Sequence, residues 1–303
     1  MILVWGPSND PPVERMISIL QARGADLLHI DADVLATMRY DVSLGAPPAG
    51  WPTGWIATGD RTVRIEELTG IYVRPGEALP GPARMASTTL LGVASCAPAI
   101  VVNRPSAGRS NWSKPFQLRL IASAGFTVPD TLVTTDPAAA RTFLAEHKRV
   151  VYKSVSGIRS IVATLDSADD DRLNAVTTGP VQFQRWIDGR DVRVHVVGER
   201  WFATAIDAKA DDYRYASQHG ADVALTAIEI PDELGRRLVL LTQAMGLLVS
   251  GIDLRVTAKD EWVCFEVNPS PGFTFYEGET GQPIAAAIAD LLAGGRPLPG
   301  KAV

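Results

Sequence analysis

Over the first third of the chain, short apolar runs alternate with stretches of helical period. Ile2–Trp5 reads as a strand, residues 12–22 as a helix and residues 26–30 as a second strand, with Gly24 where a helix stop belongs. Residues 71–74 and 100–103 are later strands, the second closing this unit. The alternation predicts an α/β layer around a parallel sheet over residues 1–103. Pro47, Pro48 and Pro52, with Gly45, Gly50 and Gly54, predict an irregular surface loop within it. A central unit, 104–181, opens with a helix over 114–124, capped by Ser113 and stopped by Gly125. It continues with strands near 150–154 and 160–164 around a short loop. The last unit, 182–303, reads as strand, hairpin, polar segment (208–221), helix, hairpin, loop and terminal helix. In its helix, Leu234, Leu238, Leu241, Met245 and Leu248 recur at four-three spacing, the pattern of core packing.

The most informative pattern is a pair of alternating stretches, 250–256 and 262–268, joined by Thr257-Ala-Lys-Asp-Glu261. A hairpin turning between Lys259 and Asp260 sets Ile252, Leu254 and Val256 opposite Val267, Phe265 and Val263 on one apolar face. The other face then carries Asp253 opposite Glu266, Arg255 opposite Cys264, and Asn268 two residues beyond Glu266. Directly opposed like charges are destabilising, so the pair calls for a cation. An all-oxygen set of Asp253, Glu266 and Asn268 suits magnesium. Neutralisation by an arginine, with Arg255 the obvious candidate, is the alternative. In an earlier strand, Asp191, Arg193 and His195 share one face and Val192, Val194 and Val196 the other, before Gly198-Glu199 turns the chain into a second hairpin. Asp191 can accept from ribose hydroxyls and Arg193 can meet a phosphate or a developing oxyanion. A cross-strand charge network accounts for the same alternation, and His195 reads as structural.

Composition narrows the class. Hydrophobic residues make up 46% and charged residues 21%, ordinary values for a globular chain. A formal net charge of −5 gives no electrostatic case for nucleic acid or an anionic membrane. Apolar runs stay short of the ~20 residues a spanning helix needs. Two cysteines, Cys96 and Cys264, make no disulfide framework, which points to the cytoplasm. Four scattered histidines lack zinc spacing, and no nucleophile elbow, Walker loop or dinucleotide fingerprint is present. Of 29 basic residues only 6 are lysine, and two of those stand in unfavourable places. Lys153 lies inside an apolar strand, and Lys114 opens a helix against its macrodipole. Each alone reads as a solvated side chain; together, upstream of an oxygen-ligand metal site, they point to a polyphosphate.

The order of these parts resembles the ATP-grasp superfamily from about residue 103 to 292. It runs from Lys114 through Lys153, Val181-Gln-Phe-Gln-Arg-Trp-Ile-Asp-Gly189 and Asp191-Val-Arg193 to Gly251-Ile-Asp-Leu254 and Phe265-Glu-Val-Asn-Pro269. Within it the chain looks most like the microviridin-type ribosomal-peptide ligases (graspetide synthetases), with ribosomal-protein glutamate ligases next. The segments Ile71-Tyr-Val-Arg-Pro75, Asp212-Tyr-Arg214 and Thr280-Gly-Gln-Pro-Ile284, with Glu277, carry that finer match. The resemblance implies an α/β (α+β) fold, with a Rossmann-like pre-ATP-grasp domain at 1–103 and two α+β subdomains clamping ATP at 104–181 and 182–303. It implies ATP binding by Lys114, Lys153, Gln184, Arg185, Trp186, Ile187 and Asp191, and Mg2+ on Asp253, Glu266 and Asn268. Arg185 stands where a hinge glutamate is common, and Pro271-Gly-Phe-Thr-Phe275 replaces a frequent Gly-Gln-Trp segment. The expected reaction is ATP-dependent ligation through an acyl phosphate, with Arg193, Arg255 and Arg214 as catalytic candidates. The expected partner is a precursor peptide or an amino-acid-like substrate, with room for a homodimer. A glutamate or amino-acid ligase, a kinase, or a nucleotide-binding regulator without turnover are the alternatives.

Overall fold

The computed structural model describes residues 1–45, 50–59, 61–76, 79, 81–155, 163–165, 167–208 and 223–294. The amino-terminal part runs β1 (Ile2–Trp5), α1 (Pro11–Ala22), β2 (Leu27–Ile30), α2 (Ala32–Thr37), β3 (Arg39–Leu44), β4 (Pro52–Thr58), β5 (Arg61–Arg64), β6 (Gly70–Val73), α3 (Gly81–Cys96) and β7 (Ile100–Val102). Its parallel sheet has the order β2-β1-β6-β7. Alternate residues are buried on both faces, as a covered parallel sheet requires. Val4, Tyr72 and Val102 pack with Val13, Met16 and Leu20 of α1. Leu3, Ile71 and Val101 pack with Ala83, Ala86 and Leu90 of α3. The α/β layer expected from the sequence is therefore present. The expected surface loop is shorter than its prolines suggested. Pro52 and Gly54 belong to β4, the middle strand of an antiparallel β3-β4-β5 sheet, while residues 46–49 lie outside the described residues. Pro52 is tolerated there because it is the first residue of its strand.

The central part contains α4 (Lys114–Ser123), β8 (Thr131–Thr134), α5 (Pro137–His147), β9 (Val150–Ser154), β10 (Ala163–Leu165) and β11 (Val181–Arg185). Its sheet has the order β10-β9-β11-β8. Ser113 takes the N-cap position of α4, but its side chain makes no capping bond. Residues 156–159, in the expected loop, and 160–162, at the start of the expected second strand, lie outside the described residues.

The carboxy-terminal part is an antiparallel sheet in the order β14-β13-β12-β15-β16. It is built from β12 (Arg190–Val197), β13 (Arg200–Ala208), β14 (Val223–Ile228), β15 (Val249–Val256) and β16 (Trp262–Asn268). The helix α6 (Asp232–Ala244) lays Leu234, Leu238 and Leu241 against Val192, Val194, Ile252 and Leu254, so the four-three stripe is core. Gly235 lets the helix approach, since a Cβ there would stand 2.3 Å from the Trp201 indole. Two last helices, α7 (Thr274–Thr280) and α8 (Ile284–Ala293), join the halves. Ile284, Ile288 and Leu292 of α8 share one cluster with β1, α1 and Val249. Asn103 reinforces the joint. Its side chain donates to the Val249 carbonyl (2.6 Å) and to the Pro269 carbonyl, and accepts from the amides of Leu248 (2.8 Å) and Val249 (3.1 Å). No described helix is long and apolar enough to cross a membrane.

His195 sits at the heart of the last sheet, fully buried and edge-on to Tyr276 at 4.8 Å between ring centroids. Burial, with the adjacent Arg193 charge, pushes its pKa well below the ordinary 6.5. The folded chain therefore binds fewer protons than the unfolded one once the pH drops below that value, and stability falls with acidification. We expect the unfolding free energy to fall as the pH drops from ~6.5 to ~5, by up to about 1.4 kcal/mol per pH unit. His195→Phe should flatten that slope. Equal slopes in the two proteins would contradict the assignment.

Candidate active site

Across the three strands β12, β15 and β16, a row of polar side chains interrupts an otherwise apolar sheet. Arg193 pairs in register with Asp253, and Asp253 with Glu266. The Arg193 guanidinium forms an ion pair with Asp253 Oδ1, and this side chain is only 7% exposed against 26% for the aspartate. A buried cation needs an anion. Arg193 is therefore held where it offsets the Asp253–Glu266 repulsion. Asn268 completes the row. With its amide oxygen toward Arg193 Nη1 (3.0 Å), its nitrogen donates to Glu266 Oε1 (3.0 Å). Gly251 makes room, because a Cβ there would lie 2.3 Å from Arg193 Nη2. The arginine that pairs with this row is Arg193, where the alternative reading of the sequence had Arg255.

Beyond Asp253 the hairpin departs from the expected register. A bulge between Asp253 and Leu254 shifts the pairing, so Leu254 faces Cys264, Arg255 faces Val263 and Val256 faces Trp262. One extra residue, Phe265, is accommodated on β16. Cys264 consequently turns into the core, where burial and then the nearby Asp253 charge push its thiol pKa up. Phe265 moves to the polar side, with Arg255 5.6 Å from its ring centroid.

Arg255 grips the linker after β11. It bonds Asp191 with two parallel contacts (2.7 and 2.8 Å), donates to the Ile187 carbonyl (2.7 Å) and lies 4.8 Å from the Trp186 ring centroid. Fork geometry of this kind is rigid. Asp191 and Arg255, read as a ribose acceptor and an oxyanion stabiliser, are joined to each other. Trp186 is further fixed by Arg149 stacked at 3.7 Å and by a bond from its indole N–H to Asp188 (2.7 Å). The amides of Arg185 and Trp186 bond to the carbonyls of Asp130 and Arg149, and the Arg185 side chain pairs with Asp130 on the surface.

Lys114 and Lys153 are both buried. Gln117, one turn after Lys114 on the same side of α4, exchanges two hydrogen bonds with the backbone of Val267 (2.8 and 3.0 Å). Val267 lies between Glu266 and Asn268, so this exchange brings the start of α4 to the acidic end of the hairpin. Lys153 stands opposite Gln182 on β11, and Gln184 lies two residues further along the same face. Both glutamines are fully buried. Gln184 donates to Thr131 (3.0 Å), but its oxygen, and both polar atoms of Gln182, have no partner among the described residues. Asn103, Gln117, Gln182 and Arg74 were not singled out in the sequence. A buried amide on an apolar strand or helix face is the signal that marks three of them. Arg214 lies outside the described residues.

Comparison with known proteins gives this geometry a family. A model of the RimK-like ATP-grasp domain matches residues 112–292, from just before Lys114 to the end of the last helix. The chain belongs to the RimK-like ATP-grasp family. It is thus an ATP-grasp ligase by family, with the ATP-grasp fold. It is 28% identical over 201 residues to a probable α-L-glutamate ligase of Pseudoalteromonas translucida, a match covering 63% of this chain and 66% of that one. With a probable α-L-glutamate ligase of Cellvibrio japonicus it shares 26% over 287 residues, 90% of this chain and 88% of the other. The solved ATP-grasp ligase PsnB, complexed with a phosphomimetic variant of minimal precursor, Mg and ADP, superposes with a TM-score of 0.80. It is 28% identical, covering 97% of this chain and 98% of PsnB.

In this ATP-grasp chain the seat of Arg193 over Gly251 can be isolated in a double-mutant cycle. Gly251→Ala should destabilise the protein by about 1–3 kcal/mol through overpacking, and by at least about 1 kcal/mol less when Arg193 is already alanine. Additive effects in chemical denaturation would show that the guanidinium does not need that space.

Proposed function

We propose that the protein is an ATP-dependent carboxylate ligase that works through an acyl phosphate and acts on the acidic side chains of a peptide. The observation that carries the proposal is the Arg193–Asp253–Glu266–Asn268 row, with Lys114 brought to its end by Gln117. Its likeness to PsnB, a ligase complexed with precursor, Mg and ADP, supports the peptide and the metal.

The residues fit both groups. Two carboxylates and an amide oxygen are a hard donor set of the kind magnesium takes alongside phosphate oxygens. The buried amide of Gln182 and the amide oxygen of Gln184, without partners among the described residues and beside Lys153, offer polar contacts that a bound nucleotide can use. Asp253, Glu266 and Asn268 would hold the metal, and Mg2+ would supply neutralisation of charge on the transferring phosphate. Lys114 and Lys153 would bind phosphate oxygens. The linker's Arg185 and Trp186 amides and Ile187 carbonyl are already used within the protein, so the purine would meet the remaining linker groups and Gln184. Arg255 would keep Asp191 and the linker in place. A substrate carboxylate oxygen attacks the γ-phosphorus and ADP departs; a hydroxyl or amine then attacks the acyl carbon and phosphate leaves. Arg193, within reach of Asp253, would steady the developing negative charge. Arg214 would grip the substrate carboxylate.

The glutamate ligases among the relatives favour a second reading, in which free glutamate is joined to an acceptor. Incubation with ATP, Mg2+, free glutamate and an acid- and hydroxyl-rich peptide is expected to give products lighter by whole water losses. Heavier products carrying added glutamate would select the second reading. Glu266→Gln should lower the rate by about a hundredfold or more without lowering the thermal midpoint, because it removes a charge that Asp253 repels. Full activity in that variant would remove the metal from the scheme.

A further inference from the structure

Next to the acidic row, but outside it, lies a cavity of about 740 Å³ at the carboxyl ends of β6 and β7. In open α/β sheets this end of the strands is where ligands bind. Its floor is continuous with the metal hairpin, because Pro269 and Ser270 in its wall directly follow Asn268. Leu91 and the exposed Trp112 form apolar walls.

The charge of the cavity is one-sided. Arg74, Arg104 and Arg109 line it, and among the described residues no acidic side chain does. Two of the three are committed elsewhere. Arg74 pairs with Asp10 and donates to the Ser270 carbonyl (2.9 Å) and hydroxyl (2.8 Å). Arg104 donates to four carbonyls at the end of α3, those of Ala94, Ser95, Ala97 and Ala99. That cap uses its hydrogen bonds but leaves its charge in place. Arg109 lies at the exposed rim, and no ion pair joins it to the described residues.

From this arrangement we infer that the cavity is a substrate subsite that holds an acidic segment of polypeptide, its carboxylate on Arg109 and its flanking apolar atoms against Trp112 and Leu91. The inference rests on the ligase reading for its purpose, as a seat that keeps the peptide beside Asn268. The binding itself stands on charge and shape. Three guanidinium groups, with no acid among the described lining residues, favour an anion, and a planar guanidinium pairs a carboxylate with two parallel bonds.

The test is calorimetric titration of the full chain with an acetylated, amidated hexapeptide of alternating serine and glutamate, and with its serine–glutamine counterpart. The wild type should bind the glutamate peptide at least about tenfold more tightly than the glutamine one. Arg109→Gln should remove that preference, and Leu91→Trp, which fills the cavity, should weaken both peptides. Affinity for Mg·ADP and the thermal midpoint should stay unchanged in Arg109→Gln, which alters only an exposed rim residue. Unchanged peptide affinity in Arg109→Gln, or no binding of the glutamate peptide to the wild type, would overturn the subsite. If instead the peptide binds through Arg109 but is never joined, the ligase reading fails and the subsite stands.

Discussion

Asp253 and Glu266 face each other across neighbouring strands of one sheet, and the surrounding structure answers that juxtaposition. Two carboxylates about 5 Å apart repel by about 3 kcal/mol at an effective dielectric constant near 20. Arg193, buried on the next strand and seated over Gly251, supplies the compensating charge from one side. Asn268 bridges Arg193 to Glu266 from the other. One guanidinium offsets only one of the two carboxylate charges, and Asp253 remains partly exposed at the end of the row.

Holding that row in place is the work of contacts far apart in sequence. Asn103 ties the last strand of the parallel sheet to the backbone on either side of the β15-β16 hairpin, at Val249 and Pro269. Arg74 secures Ser270, and Gln117 secures Val267. These three side chains converge on the segment 267–270. Glu277, anchored by Arg15 (2.7 Å) and capping the last helix through the Ala285 amide (2.6 Å), fixes the same connection further on. The amino-terminal layer is thus part of the site's support, although none of the candidate metal, lysine or arginine ligands comes from it.

Much of this was legible in the residues. Strict alternation in 250–256 and 262–268 placed the carboxylates opposite each other, and the lysine shortage singled out two lysines, Lys114 and Lys153, that are buried. What escaped were features without a periodic signature. The bulge at Phe265 reversed the facing of Cys264, because a period-2 pattern cannot record one inserted residue. The β3-β4-β5 sheet was hidden because Pro52 opens β4 and Gly54 lies within it, residues that usually mark loops. The identity of the neutralising arginine depended on which strand lies beside β15. Hydrophobic patterning does not state strand order, so Arg255 was the nearest choice in sequence and Arg193 the nearest in space. Asn103 and Gln117 look like ordinary polar residues until their backbone partners, more than a hundred residues away, are known.

We propose that the Asp253–Glu266–Asn268 row takes a divalent cation together with a nucleotide. The most direct test is a titration of Mn2+ into the protein with ADP, followed by electron paramagnetic resonance of the free ion. Nucleotide-dependent Mn2+ binding is expected in the wild type, and its loss in an Asp253→Asn, Glu266→Gln double variant that still folds. Equal Mn2+ binding in the two proteins would contradict it.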